Sequence, residues 1–165
     1  MSSSKIATAS WPPDGRARGR CRRPAGVAGR TGGNGAGVEL PGAFPAVASS
    51  LSSIRRGVAA CAQRAGAPAP QVAAMVSAVN EAAANAVVHA YDGGAEDARV
   101  WVGYELDAGW LHFTVADRGG GLRPRRSSPG LGLGFAIIAQ LADELELRDA
   151  EGGGVEIRMG FRLSG

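Results

Sequence analysis

The run from Gln71 to Tyr91 constrains the fold more than any other part of this chain. It holds no Lys, Arg, Gly or Pro, and most of its residues are Ala or Val. An uninterrupted stretch of this kind predicts a helix, which the turn signal Asp92-Gly93-Gly94 would end. Because a solvent-facing helix would be more polar, the sequence predicts that other elements cover most of this helix.

A single polar stripe interrupts the apolar surface of that helix. Ser77, Glu81, Asn85 and His89 follow one another at intervals of four, and such steps advance only about 40° around a helix. Unpaired buried polar groups cost on the order of 1 to 3 kcal/mol each, so the stripe must meet polar partners. A ligand or metal is one candidate. A neighbouring loop, or water at the sheet edge, is the other, and His89 is expected to be structural.

Seven further elements are predicted around this helix from alternation and turn signals. In chain order they are a strand at Val38–Phe44, a helix at Ala46–Ala65, strands at Arg99–Leu106 and Trp110–Ala116, a helix at Leu133–Glu144, and strands at Leu145–Asp149 and Val155–Leu163. This order predicts the α+β class. We expect a two-layer α/β sandwich in which helices cover one face of a mixed sheet.

Charge divides the chain into two parts. Residues 1–35 hold seven Lys and Arg against Asp14 alone, which leaves 11 basic and 14 acidic side chains for residues 36–165. The first part has no apolar period and predicts a basic, disordered tail, whereas residues 36–165 predict one domain. Nucleic-acid binding by the tail is the less favoured reading, so direct contact with nucleic acid is not expected.

The chain lacks the marks of export or membrane insertion. Its apolar runs are far shorter than a membrane span. Cys21 and Cys61 are forty positions apart and have no metal-binding spacing. These observations predict a cytoplasmic protein without a membrane anchor, a disulfide framework or a zinc site.

Two glycine-rich turns follow the polar helix. Asp117-Arg118-Gly119-Gly120-Gly121 places a carboxylate at a strand end, where it could accept a hydrogen bond from an exocyclic amine. Gly130-Leu131-Gly132-Leu133-Gly134 opens the third helix, where free backbone N–H groups can hold phosphates. Each turn taken alone is also typical of an ordinary connection.

The order of these three motifs resembles the GHKL superfamily of ATPases. The N box is similar to Glu81–His89, the first glycine box to Asp117–Gly121 and the second to Gly130–Gly134. The run from Asn80 to Tyr91 resembles the anti-sigma serine kinases of Gram-positive bacteria more closely. The likeness covers roughly residues 38–163 and implies the Bergerat-type ATP-binding fold.

The resemblance implies roles for individual residues. Glu81 matches the acid that takes a proton from the attacking hydroxyl, Asn85 the ligand of Mg²⁺, and Asp117 the carboxylate that reads adenine. The glycines that match the nucleotide-binding positions are Gly119, Gly121, Gly130, Gly132 and Gly134.

One position departs from the family's pattern. Relatives often carry Thr after paired glycines in the last hairpin, whereas this chain has Val155 after Gly154. Losing one neutral hydrogen bond costs only about 1 kcal/mol, so nucleotide binding is expected to survive the change.

The implied function is that of an ATP- and Mg²⁺-dependent anti-sigma regulatory factor with serine-protein kinase activity. Such a protein sequesters a sigma factor and transfers the γ-phosphate of ATP to a serine of an anti-anti-sigma (STAS-type) partner. Three alternatives stay open: a non-catalytic module that binds partners when nucleotide is bound, the detached catalytic domain of a histidine kinase, and a plain α/β domain with a nucleic-acid-binding tail. Relatives commonly dimerise, which leaves a homodimer open.

Overall fold

The computed structural model describes residue 40 and residues 42–89, 98–119, 131–150 and 153–164. The predicted tail, and the segments that contain Gly121 and Gly130, lie outside these ranges. Within them, three helices and five strands follow one another in the order β-α-α-β-β-α-β-β. This order is the one that the sequence predicts.

Five antiparallel strands form one sheet. In chain order they are β1 (Gly42–Pro45), β2 (Arg99–Asp107), β3 (Trp110–Asp117), β4 (Glu144–Asp149) and β5 (Val155–Arg162). Their spatial order is β1-β2-β3-β5-β4. The last strand of the chain therefore lies inside the sheet, between β3 and β4.

The prediction of a mixed sheet is wrong, because every pairing among the described strands is antiparallel. The physical reason is the position of β5. Strand β4 runs in the same direction as β3, but β5 separates them and pairs with both. The crossover through the third helix thus creates no parallel ladder. The α+β class and the helix-covered sheet are confirmed.

Three helices cover one face of the sheet. They are α1 (Ala48–Arg64), α2 (Ala69–His89) and α3 (Leu131–Leu141). Helix α2 contacts β2, β3 and β5 as well as both other helices, which confirms its predicted central position. No helix in the described ranges combines the length and hydropathy that crossing a bilayer requires.

The core forms between α2 and the alternate strand residues that point toward it. The buried apolar strand residues on this face are Val100, Val102, Leu111, Phe113, Val115, Val155, Ile157, Met159 and Phe161. They meet the buried α2 residues Met75, Ala78, Val79, Ala82, Ala83 and Ala86. Because alanine side chains are small, the helix can lie close to the sheet, and large side chains from the strands fill the layer between them.

One hydrogen bond anchors the start of α2 to the sheet. The side-chain amide of Gln71 donates to the backbone oxygen of Arg162 at 2.8 Å, and Arg162 pairs with Trp110 at the start of β3. From Gln71 to Asn85 the helix rises about 21 Å, and from Trp110 to Asp117 the strand extends about 23 Å. A helix that follows β3 from this anchor would bring Asn85 to the end of the sheet where β3 ends.

Candidate functional site

Glu81 and Asn85 of α2 converge on Gly134 of α3. A β-carbon at Gly134 would lie 3.1 Å from Asn85 Nδ2 and 3.2 Å from Glu81 Cδ, and it would overlap Glu81 Oε1. Real β-carbons essentially never approach another atom within 3.0 Å, as the contact with Glu81 Oε1 would require. The absence of a side chain at Gly134 thus lets α3 come close enough to form one wall beside both polar groups.

The amide of Asn85 has a buried nitrogen without a hydrogen-bond partner among the described residues. Which end of an amide carries the nitrogen is an assignment, so the finding is that one end of this side chain is unpaired. Burying such a group costs on the order of 1 to 3 kcal/mol. A bound molecule that offers a polar partner or a cation would remove this cost.

The structure divides the predicted polar stripe. Ser77 is exposed, whereas Glu81 and Asn85 are half-buried, and the His89 side chain lies outside the description. Asn80 points to the other side of α2, where its Oδ1 accepts a hydrogen bond from Arg55 of α1 at 2.9 Å. Of the four predicted members, the structure therefore brings together the carboxylate and the amide.

Asp117 is a buried carboxylate at the end of β3, with 5% of its surface exposed. It accepts hydrogen bonds from the backbone N–H of Gly119 at 2.9 Å and from that of Val155. Burial raises the pKa of Asp117, and the two N–H donors partly oppose this rise. An ionised carboxylate has about four acceptor sites, so Asp117 can still accept hydrogen bonds from a ligand.

Gly154 lets the last hairpin reach Asp117. Its φ is +91°, and a β-carbon there would lie 2.7 Å from the Asp117 carbonyl carbon and 2.8 Å from Arg118 Cα. The sequence predicts a turn at residues 151–154 but not this contact. Three consecutive glycines, one more than a two-residue turn holds, were the available signal.

The residue after Asp117 is held on the opposite face of the sheet. The Arg118 guanidinium carbon lies 4.9 Å from the centre of the Trp101 ring, a cation–π geometry. Asp117 and Arg118 thus leave the strand toward opposite faces, and each has a contact there. These contacts fix the start of the first glycine-rich turn.

The predicted glycines fall into three groups. Gly119 donates to Asp117, and Gly134 contacts the carboxylate and the amide. Gly132 lies in the first turn of α3, where helix geometry leaves backbone N–H groups without an intrahelical acceptor. Gly121 and Gly130 lie outside the described residues.

These groups have the chemistry that a nucleotide with a divalent cation requires. Glu81 supplies a carboxylate, Asn85 an amide with unmet bonding capacity, and α3 a helix N-terminus suited to anions. Asp117 offers a partly desolvated acceptor for a donor such as an exocyclic amine. Oxygen donors next to phosphate are the ligands that Mg²⁺ takes, so the residues present fit such a ligand.

Several known proteins resemble this chain. The anti-sigma F factor of Pasteuria penetrans is 33% identical over 92 residues, which cover 49% of this chain and 61% of that protein. The Erythrobacter litoralis EL346 blue-light activated histidine kinase is 28% identical, with a TM-score of 0.50 over 59% of this chain and 32% of that one. The RsbU and RsbW domains of Rv1364c from Mycobacterium tuberculosis are 23% identical, with a TM-score of 0.52 over 73% of this chain and 30% of that one.

The chain thus spans less than two thirds of each of these relatives. The sequence profile of the histidine kinase-like ATPase domain matches residues 44–161, a range that includes all three helices and most of the sheet. This match confirms the resemblance that the order of the three motifs predicts. The chain belongs to the family of histidine kinase-like ATPase domains.

Proposed function

We propose that this protein binds ATP with Mg²⁺ and acts as an anti-sigma regulatory factor with serine-protein kinase activity. In this proposal it sequesters a sigma factor and transfers the γ-phosphate of ATP to a serine of an anti-anti-sigma (STAS-type) protein. We place it in the cytoplasm, where these partners act.

One observation carries the proposal: Glu81 and Asn85 of α2 both lie against Gly134 of α3. A further carboxylate, Asp117, is buried at the end of β3. A carboxylate, an amide and a helix start would then surround the phosphates, and the second carboxylate would face the base.

Each residue has one task in this proposal. Asp117 binds the amino group of adenine as an acceptor, and the Gly119 and Val155 N–H groups hold its carboxylate in place. The amide oxygen of Asn85 binds Mg²⁺, whose charge offsets that of the phosphates. Glu81 accepts the proton of the serine hydroxyl as the γ-phosphoryl group is transferred in line.

The partners are proposed from the names of two relatives. The Pasteuria penetrans protein is an anti-sigma F factor, and the Mycobacterium tuberculosis protein includes an RsbW domain. A factor of this type needs a sigma factor to hold and an antagonist to release it. In our proposal, phosphorylation of the antagonist prevents that release.

Phosphate transfer in a purified system tests the proposal. The protein is incubated with ATP, Mg²⁺ and the STAS-type protein encoded in the same genome, and the product is analysed for phosphoserine by mass spectrometry. We expect transfer by the wild type and at least a hundredfold slower transfer by Glu81→Gln, the loss typical of removing a general base. Glu105→Gln serves as the control, because Glu105 is an exposed carboxylate on the other face of the sheet.

The same experiment separates the alternatives. Acid-labile phosphate on a histidine of another protein would replace the serine kinase with a histidine kinase catalytic domain, which the likeness to the Erythrobacter litoralis enzyme favours. ATP binding without any transfer would leave a nucleotide-dependent binding module. In that case Glu81→Gln would keep full control of the sigma factor.

A further inference from the structure

Trp101 of β2 has an arginine side chain over its ring. The residues before and after it in β2 are buried on the helix-covered face, so Trp101 lies on the opposite face of the sheet. Its neighbours across the strands are Ala43 of β1 and Ala116 of β3. Because alanine side chains are small, they leave room beside the half-buried ring for a larger group. The Arg118 guanidinium carbon takes this place, 4.9 Å from the ring centre.

The backbone of Arg118 is packed from another direction. A β-carbon at Gly154 would lie 2.8 Å from Arg118 Cα, so the β4–β5 hairpin lies directly against this part of the main chain. The hairpin thus contacts the backbone of Arg118, and β2 contacts its side chain through Trp101. These contacts come from the elements on the two sides of β3, and together they limit how far Arg118 can move.

Arg118 lies between the two residues whose hydrogen bond builds the proposed base site. Before it comes Asp117, the last residue of β3. After it comes Gly119, whose backbone N–H donates to the Asp117 carboxylate at 2.9 Å. Glycine restricts its own backbone less than any other residue, so the local sequence does not fix the position of this N–H. A contact that holds Arg118 therefore affects how well the Gly119 N–H stays on the carboxylate.

We propose that Trp101 is a positioning residue for adenine recognition and that it acts through Arg118. The ring holds the guanidinium, the guanidinium holds the backbone at the end of β3, and that backbone keeps the Gly119 N–H on the Asp117 carboxylate. The carboxylate then keeps one direction, toward the amino group of adenine. This inference rests on the proposed function, because it requires Asp117 to bind the base.

The choice between two purine bases reports this positioning. An ionised carboxylate accepts hydrogen bonds and donates none, so Asp117 can bind the 6-amino group of ATP. Inosine triphosphate (ITP) has a keto oxygen at that place, and two acceptors would face each other. A site built to bond an N–H group rejects an analogue that lacks it. A carboxylate that loses its direction should therefore weaken ATP binding more than ITP binding and lower the ratio of the two affinities.

Calorimetric titration with ATP and with ITP, each with Mg²⁺, tests the proposal. Trp101→Leu and Arg118→Met should each lower the preference for ATP about two- to fivefold, the range expected from an exposed cation–π contact. Trp101→Phe should keep most of the preference, because a phenyl ring also attracts a guanidinium. Combining Trp101→Leu with Arg118→Met should be no worse than either change alone, since both remove the same contact.

Trp110→Leu is the matched control. Trp110 is also a half-buried tryptophan on this face of the sheet, and its ring stacks on His112 at 5.9 Å between centres. It begins β3, whereas Asp117 ends that strand. Removal of its indole should therefore leave the preference for ATP unchanged. Circular dichroism of each variant checks that it folds.

A second measurement needs no nucleotide. Hydrogen exchange of the Gly119 amide, followed by NMR, reports on its hydrogen bond to Asp117. Exchange should be about two- to fivefold faster in Trp101→Leu than in the wild type, and Trp110→Leu should leave it unchanged. This measurement tests the link between Trp101 and the carboxylate separately from ATP binding.

The inference fails on any of three results. They are an unchanged preference for ATP in a folded Trp101→Leu variant, additive losses when the two changes are combined, and a Gly119 exchange rate that Trp101→Leu does not alter. Failure of the proposed function would look different, because the wild type itself would then bind ATP no better than ITP, or bind neither. That result would overturn this inference as well.

Discussion

The carboxylate of Asp117, at the end of β3, accepts a hydrogen bond from the backbone N–H of Val155, the first residue of β5. This contact ties the first glycine-rich motif to the last hairpin. The Val155 side chain is buried, with 6% of its surface exposed. The proposed base-binding acid is therefore positioned by the backbone of a residue whose side chain departs from the family's pattern.

Nucleotide affinity should depend on pH through Asp117. Burial raises the pKa of this carboxyl, and only its ionised form is a pure acceptor. Affinity for ATP should therefore fall on acidification at a higher pH than an ordinary aspartate would give. Calorimetric titration at several pH values measures this fall. Asp117→Asn should bind weakly at every pH, whereas the exposed control Asp107→Asn should follow the wild type.

Asp117 should make the nucleotide-free protein less stable as the pH rises, which is opposite to its effect on ATP affinity. Its folded pKa lies above the unfolded value of about 4, so its stabilising contribution is complete below that value and is lost as the pH rises through the folded pKa. Burial also raises the pKa of Glu156, so the test is the difference between wild type and Asp117→Asn in urea unfolding. An identical pH dependence in both proteins would contradict it.

Substitution of Gly154 should damage both stability and binding. Gly153 and Gly154 have φ values of +100° and +91°, so alanine strains the backbone at either position, by about 1 to 3 kcal/mol. Only at Gly154 would the new β-carbon also meet the Asp117 backbone. We expect Gly154→Ala to lower the urea midpoint more than Gly153→Ala and to weaken ATP binding. Equal effects of the two variants would show that strain alone acts.

Gly134→Ala tests the contact between α2 and α3. Alanine is favoured over glycine within a helix by about 1 kcal/mol, so a loose contact would make this variant more stable. The atoms that the new β-carbon would meet are the ends of the Glu81 and Asn85 side chains, which can move, so their displacement should offset this gain and leave the free energy of unfolding within about 1 kcal/mol of wild type. Phosphate transfer should nevertheless slow, because the Glu81 carboxylate is displaced. Ala136→Gly, at an exposed position of α3, measures how much the difference in helix propensity between alanine and glycine contributes to stability in the same helix.

Asn85→Ala should separate binding from folding. The variant removes a buried amide with an unpaired nitrogen, so the free protein should keep its stability or gain up to about 1 kcal/mol. Metal-dependent affinity for ATP should fall tenfold or more, which is about 1.4 kcal/mol. Asn80→Ala, which removes an amide on the α1 side of the same helix, should leave that affinity unchanged.

Local sequence patterns predict the elements that bury one apolar face against the rest of the protein. The alternating run Trp110–Ala116 is confirmed as a strand that extends one residue further, to Asp117. The Ala- and Val-rich run from Gln71 is confirmed as the central helix Ala69–His89. Both elements bury one face, and the spacing of apolar residues along the sequence follows that face.

The end of α3 and the direction of the strand pairings depend on contacts between residues that are distant in the sequence, so local patterns do not predict them. The third helix was expected at Leu133–Glu144 but spans Leu131–Leu141. Glu144 pairs with Gly160 and begins β4 instead. Whether the sheet is mixed likewise depends on which strand lies next to β3, and a strand's local pattern does not specify its neighbour.

The candidate site was predicted in its residue types but not in its contacts. The four-residue spacing placed Glu81 and Asn85 on one line of a helix. Their contact with Gly134, the unpaired Asn85 nitrogen and the approach of Gly154 to Asp117 all join residues from separate elements. Such contacts follow from the packing of helices and hairpins, and no motif spacing encodes them.

The position of β5 bears on how the protein is made. This strand is synthesised after the other four described strands, yet it lies between β3 and β4 and supplies one of the two N–H groups that hold Asp117. A nascent chain that has not yet released Val155–Arg162 from the ribosome has neither a joined sheet nor the Val155 N–H that holds the Asp117 carboxylate. Contacts that span so much of the chain form late. In the function proposed above, ATP can therefore stabilise only the finished domain, and the intermediates of synthesis must persist without its help.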